Sequence, residues 1–181
     1  MSDAYKMVQH GHRSRGDFAL YAMLAGCVLI FAAIIIPVFL QARHFHLFHT
    51  FIGDVCKSSI ESKGEVICSY DGKSEQFDDG KLDQLLVNLT NGGGGKIERK
   101  LPEREPFRII FTDGAELKMW CAEQVDPDFD EIIPCLIVSF DRADGRTFSY
   151  LTNDLSADMI RYILPKLGRE WIEQEDLYLG H

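Results

Sequence analysis

An uninterrupted apolar segment from Phe18 to Leu40 constrains this chain more than any other feature. Its 23 residues include no charged side chain. Because a helix rises 1.5 Å per residue, the segment reaches roughly 34 Å, which matches a hydrocarbon core of about 30 Å with some tilt. A core helix of a soluble domain rarely stays apolar on every face for this length. The sequence therefore predicts one transmembrane helix over residues 18–40.

The charges that flank this segment predict its orientation. Lys6, Arg13 and Arg15 lie in a short tail, residues 1–17, whereas Arg43 is the one basic residue close behind the segment. Lys and Arg accumulate on the cytoplasmic side of a span. We therefore expect a single-pass protein of the cell membrane, with a cytoplasmic N-terminus and an extracytoplasmic C-terminal domain.

A cleaved signal peptide is the alternative interpretation of this segment. The apolar region of a signal peptide normally covers 7–15 residues and precedes a small-residue cleavage site. The run here is longer, and residues 39–42 (Phe-Leu-Gln-Ala) match such a site poorly. An uncleaved anchor is the better interpretation.

The remainder of the chain, residues 41–181, is acidic. It holds 16 Lys and Arg against 26 Asp and Glu, which leaves a net charge of −10. A surface of this sign repels nucleic acid, so we exclude nucleic acid as a partner. The partners that we expect are the lipid bilayer and a protein in or at the membrane.

Residues 41–62 predict an interfacial helix that continues from the span. Phe45, Phe48 and Ile52 recur at helical spacing, which is typical of an aromatic belt at the level of the lipid headgroups. Three histidines in the same stretch do not have the spacing of metal ligands, because the first two cannot share a helical face. These histidines are His44, His46 and His49.

Residues 63–181 predict one α+β domain. Each of three Asp-Gly dipeptides lies between β-prone segments, which is the pattern of a hairpin turn. The three turns are Asp71-Gly72, Asp113-Gly114 and Asp144-Gly145. Such patterns predict a small antiparallel sheet of about six strands.

Two amphipathic helices are predicted to cover that sheet. In each of them, apolar residues recur at positions i, i+3, i+4 and i+7. Asp78 or Asp79 is expected to cap the first helix and Asn153 or Ser156 the second, which Pro165 should kink or split. The two apolar stripes are Leu82, Leu85, Leu86 and Leu89, and Ile160, Ile163, Leu164 and Leu167.

Four cysteines follow the span, and an even count in an oxidising compartment permits two disulfides. They are Cys56, Cys68, Cys121 and Cys135. Cys121 and Cys135 end and begin successive predicted strands, so they are the candidate disulfide pair. Free, buried thiols explain the pattern equally well.

Three aromatic residues are candidates for a protein interface, because large aromatic side chains often anchor one. Trp120 is predicted to lie on the strand face opposite Leu117 and Met119. Trp171 and Tyr178 lie in the acidic C-terminal segment. A second, smaller core beneath that segment is the alternative location for these side chains.

No catalytic, cofactor-binding or metal-binding motif is identified in the sequence. The glycines before Lys96 close a predicted helix rather than open one, unlike a phosphate loop. The acidic stretch from Asp126 has Glu131 at the position where a calcium loop requires glycine. We therefore expect a membrane-anchored binding module or an accessory subunit of a membrane complex. An extracytoplasmic hydrolase that uses two carboxylates is the alternative.

Overall fold

The computed structural model describes residues 13–62, 64–91, 95–98, 100–125, 130–152 and 155–179. The chain divides into two compact units, Met1–Ala42 and Arg43–His181. In chain order the elements are α1 (Arg13–Ser62), β1 (Ile67–Tyr70), β2 (Lys73–Gln76), α2 (Asp79–Asn91), β3 (Lys96–Ile97), β4 (Phe107–Ile110), β5 (Glu116–Val125), β6 (Ile132–Asp141), β7 (Thr147–Leu151), α3 (Ala157–Ile160) and α4 (Lys166–Leu179).

In the first unit, α1 is long and apolar enough to cross a membrane, and its most apolar 18-residue stretch has no buried residue. The large side chains of this stretch are 45–76% exposed between Phe18 and Leu40. Pro37 lies inside the helix without ending it. A signal sequence can have the same length and composition, so α1 is a candidate membrane span.

The second unit contains one antiparallel sheet in the order β2-β1-β4-β5-β6-β7-β3. The prediction of an α+β fold with about six antiparallel strands is confirmed for the six longer strands. The seventh, β3, has two residues and pairs with the β7 residues Leu151 and Tyr150. Sequence patterns missed it because a pair of residues is too short to show alternation.

The Asp-Gly turns adopt the geometry that their sequence favours. Asp71 and Gly72 have φ values of 50° and 70°, as both central residues of a type I′ hairpin turn require. Gly114 and Gly145 also have positive φ, 83° and 84°. These turns fix the register of the hairpins and hence which side chains face the core.

The helix signals are also confirmed in large part. Asp78 caps α2, because its carboxylate accepts a hydrogen bond of 2.9 Å from the Gly80 amide. Pro165 separates α3 from α4, as its missing amide hydrogen predicts. The eight residues of the two predicted stripes are buried, apart from Leu86, which packs partly buried against the same core. Ser156 precedes α3 without a side-chain capping bond, and Asn153 lies outside the described residues.

The C-terminal part of α1 corrects the prediction of an interfacial belt. Phe48, Ile52 and Cys56 are 0–2% exposed and belong to the domain core. The Phe48 ring lies 5.2 Å from the Tyr150 ring. These side chains therefore pack on the sheet instead of facing headgroups, and the compact unit begins at Arg43 rather than at residue 63.

Helix α4 contributes the largest buried side chain of the same core. Trp171 is 0% exposed and stacks on Phe107 of β4 at a centroid distance of 5.1 Å. By strand pairing Phe107 lies opposite Met119, so it is on the sheet face that bears Met119. The C-terminal segment of α1 and helix α4 thus both contact the sheet, and the sequence did not predict the contact made by α1.

Candidate functional site

The longest hairpin of the sheet extends beyond its neighbours. Strands β5 and β6 pair along ten residues, from Glu116 with Asp141 to Val125 with Ile132. Strand β4 pairs only with residues 116–119, and β7 only with residues 137–141. We call residues 122–125 and 132–135 the arm, because no third strand accompanies them in the described part of the chain.

A groove of about 290 Å³ lies between the arm and the ends of helices α3 and α4. Glu123, Ile132 and Pro134 line it from the arm, and the strand pairing places these three side chains on the core face of the sheet. The helices contribute Asp158, Asp176 and Leu179. The groove therefore combines apolar walls with three carboxylates.

An ion pair with a buried carboxylate lies next to Cys121, one of the residues that line the groove. Arg104, in the loop before β4, places its Nε 2.8 Å from Oε2 of Glu175, whose side chain is 1% exposed. The Arg104 guanidinium also donates to the backbone carbonyl of Cys121. Burial raises the pKa of Glu175, and the neighbouring Arg104 opposes that shift in part. This pair anchors the loop to α4 directly beside the arm.

Sequence reasoning missed both members of this pair. Glu175 follows Trp171 by four residues and therefore lies on the same helical face, which was the available signal that its carboxylate is buried. Arg104 lies in a loop between Pro102 and Pro106 that shows no periodicity, so no sequence pattern indicated its partner. The carboxylates of Asp158 and Asp176 were equally unmarked among the 28 acidic residues.

The two candidate disulfide cysteines do not face each other. In the register of β5 and β6, Cys121 pairs with Leu136 and Cys135 with Ala122, so the two thiols point to opposite faces of the sheet. Both are free and buried. The predicted bond is therefore absent, and the alternative of free, buried thiols describes these residues.

The electrostatic surroundings of Cys121 locate the acidic groups of the groove. Burial raises the pKa of the Cys121 thiol most, and the charges of Glu175 and Asp176 raise it further. Asp158 contributes in the same direction, whereas Arg104 opposes it. A thiol with a raised pKa holds its proton and is a poor nucleophile. This residue therefore marks where carboxylates from helices α3 and α4 converge, without supplying reactive sulfur.

The candidate interface residues are not exposed where the structure describes them. Trp120 is 3% exposed, and its indole Nε1 donates a 2.9 Å hydrogen bond to the Arg104 carbonyl. Trp171 of α4 is fully buried. Neither side chain is available to a partner, because each completes the packing of the domain itself. The Tyr178 side chain lies outside the described residues.

The histidines likewise serve the packing of α1. Nδ1 of His44 shares a hydrogen bond with the buried Tyr150 hydroxyl. Burial lowers the pKa of both His44 and His49. Within the described ranges no group of three potential metal ligands is brought together. Residues 92–94 of the glycine run, and Asp126 and Asp128 of the acidic stretch, lie outside those ranges.

Comparisons of the chain with protein-family models, with curated proteins and with solved structures found no match.

Proposed function

We propose that this protein is a single-pass membrane protein whose C-terminal domain acts outside the cell membrane as a binding module or accessory subunit. The observation that carries the proposal is the apolar stretch of α1. Between Phe18 and Leu40 its large side chains are 45–76% exposed, although none of its 23 residues is charged. Exposed apolar surface of this extent is stable in lipid and is an aggregation hazard in water.

The proposed orientation rests on the three basic residues of the N-terminal tail. Basic residues next to a span accumulate on its cytoplasmic side. Lys6, Arg13 and Arg15 therefore favour a cytoplasmic N-terminus. The acidic domain then lies on the extracytoplasmic side.

Binding is the activity that the domain supports best. A carboxylate hydrolase requires two acidic side chains that converge in a protected cleft. In the groove Asp158 is exposed and Asp176 is half-buried. Glu175 is the buried carboxylate among the described residues, and Arg104 pairs with it. We therefore favour recognition of a partner over hydrolysis.

Membrane association is tested by expressing the full chain and washing the isolated membranes with alkaline carbonate. We expect the uncleaved chain to stay in the membrane pellet until detergent is added. Recovery of a soluble product shortened at its N-terminus would show a cleaved signal sequence and refute the proposal.

Orientation requires introduced thiols, because Cys56, Cys68, Cys121 and Cys135 are buried. Ser58→Cys places a thiol at an exposed position of the domain, and Ser2→Cys places one in the tail. With a membrane-impermeant maleimide on intact cells, we expect the first variant to be labelled and the second to react only after lysis. The reverse pattern would overturn the orientation. The unsubstituted chain is the control for background labelling.

A further inference from the structure

We infer that the groove beneath the β5–β6 arm binds an arginine side chain presented by an extracytoplasmic segment of a partner protein. This inference rests on the proposed function, because it assigns a partner chemistry to the same domain. The groove is a defined concavity between a strand hairpin and two helix ends, and its volume of about 290 Å³ lies at the lower limit of the roughly 300–1,000 Å³ typical of small-molecule sites. It is therefore matched to one long side chain better than to a metabolite.

The lining defines the chemistry of that side chain. Ile132, Pro134 and Leu179 form apolar walls, and Asp158 and Asp176 supply carboxylates. An arginine has the matching pattern, because its methylene stem packs on apolar surface while its planar guanidinium donates to carboxylates. No Lys or Arg of the described chain lines the groove. Charge complementarity therefore identifies a cationic occupant.

The arginine that contacts the groove residue Cys121 is already engaged. The Arg104 Nε lies 2.8 Å from the Glu175 carboxylate, and its guanidinium donates to the Cys121 carbonyl, so this cation is paired within the domain. Neither Asp158 nor Asp176 forms an ion pair with a described residue. An incoming guanidinium would thus find these two carboxylates open to it.

The arm provides the surface that surrounds the bound side chain. Val125 and Ile132, paired at the end of the arm, are 60% and 63% exposed. These two adjacent apolar side chains can pack against the residues that flank the arginine of a partner segment. The net charge of −10 on residues 41–181 further raises the encounter rate with a basic segment.

The test measures peptide binding to the full chain in mild-detergent micelles. One acetylated and amidated pentapeptide library has a central arginine between random uncharged residues. The matched library has central citrulline, which keeps the shape of arginine and lacks its charge. We expect affinity selection to retain arginine peptides, and calorimetry with the best of them to give its Kd. Equal retention of the two libraries, or retention of neither, would overturn the inference.

Variants then locate the site. Asp158→Asn combined with Asp176→Asn should weaken the Kd of the selected peptide by roughly tenfold or more, because charge-assisted hydrogen bonds are lost. The control combines Asp54→Asn with Asp83→Asn, two exposed positions that change the net charge equally. Equal effects of the two double variants would show general electrostatic attraction and refute the groove. Binding of spermidine, without binding of any arginine peptide, would assign the groove to polyamines and refute the protein partner.

The carbonate wash separates this inference from the proposed function. Retention in the membrane pellet with no arginine-dependent binding would refute the inference alone. Release of a shortened, soluble chain would refute the proposed anchor, whatever peptide the domain binds.

Discussion

Replacing Phe48 with alanine tests whether the C-terminal part of α1 belongs to the folded core. The Phe48 side chain is 1% exposed, and its ring lies 5.2 Å from Tyr150 and 6.3 Å from Phe140. Removing a buried phenylalanine costs about 3–5 kcal/mol, from lost burial and from the cavity that remains. Against a typical domain stability of about 5–15 kcal/mol, this is a large fraction. The corresponding fall in Tm is roughly 10 °C.

The two tryptophans provide the assay. Trp120 and Trp171 are both buried in the domain, so unfolding should shift their fluorescence to the red. Urea unfolding of the full chain in micelles then gives the free energy of unfolding for each variant. Phe48→Leu keeps part of the apolar volume and provides an intermediate value if Phe48→Ala does not fold.

The control is Phe39→Ala, which makes the same chemical change in the exposed apolar stretch. Phe39 is 64% exposed, so the free energy of domain unfolding should change by less than about 0.5 kcal/mol. If Phe48→Ala has an equally small effect, residues 43–62 form an interfacial helix outside the core, and the packing described above is wrong.

Two further predictions use the same unfolding assay. A Cβ at Gly95 would collide with the backbone carbonyl of Leu151. Gly95→Ala should therefore lower the free energy of unfolding by about 1–3 kcal/mol. An unchanged free energy of unfolding would contradict the close approach of Gly95 to β7. Burial lowers the folded-state pKa of His44 and His49 below their ordinary value of about 6.5. The unfolded chain therefore binds more protons, and the histidine contribution to stability should be present above about pH 6.5 and be lost as the pH falls through the folded-state pKa values. The double variant His44→Gln with His49→Gln should show a weaker fall in stability between about pH 7 and 5, and an unchanged slope would contradict this assignment.

Much of the local structure followed from residues close together in the sequence. The Asp71-Gly72 turn, the cap at Asp78 and the break at Pro165 each depend on the conformational preferences of one or two residues. The leucines at helical spacing in α2 predicted which face of that helix is buried, because helical periodicity is a local property of the sequence. The core face of β5, which bears Leu117 and Met119, followed from alternation in the same way.

The candidate site was less accessible to such reasoning. The groove depends on how far β5 and β6 extend past β4 and β7, and strand length is decided by pairing between distant residues. Its helix-side carboxylates, Asp158 and Asp176, come from two helices that meet only in the folded domain. The Arg104–Glu175 pair joins residues that are far apart in the chain and that carry no joint sequence signal.

The apolar segment from Phe18 to Leu40 determined the candidate span by itself, because length and lack of charge are properties of the sequence. Charge bias likewise led to the proposed orientation without any structure. Only the tertiary structure showed that Phe48 and Ile52 lie in the domain core instead of the predicted membrane interface. It also showed that Trp120 and Trp171 are buried within the domain instead of exposed at its surface. The physical reason is that helical spacing and aromatic content show only that a side chain prefers apolar surroundings to water. The fold decides whether lipid, a partner or the chain's own sheet satisfies that preference.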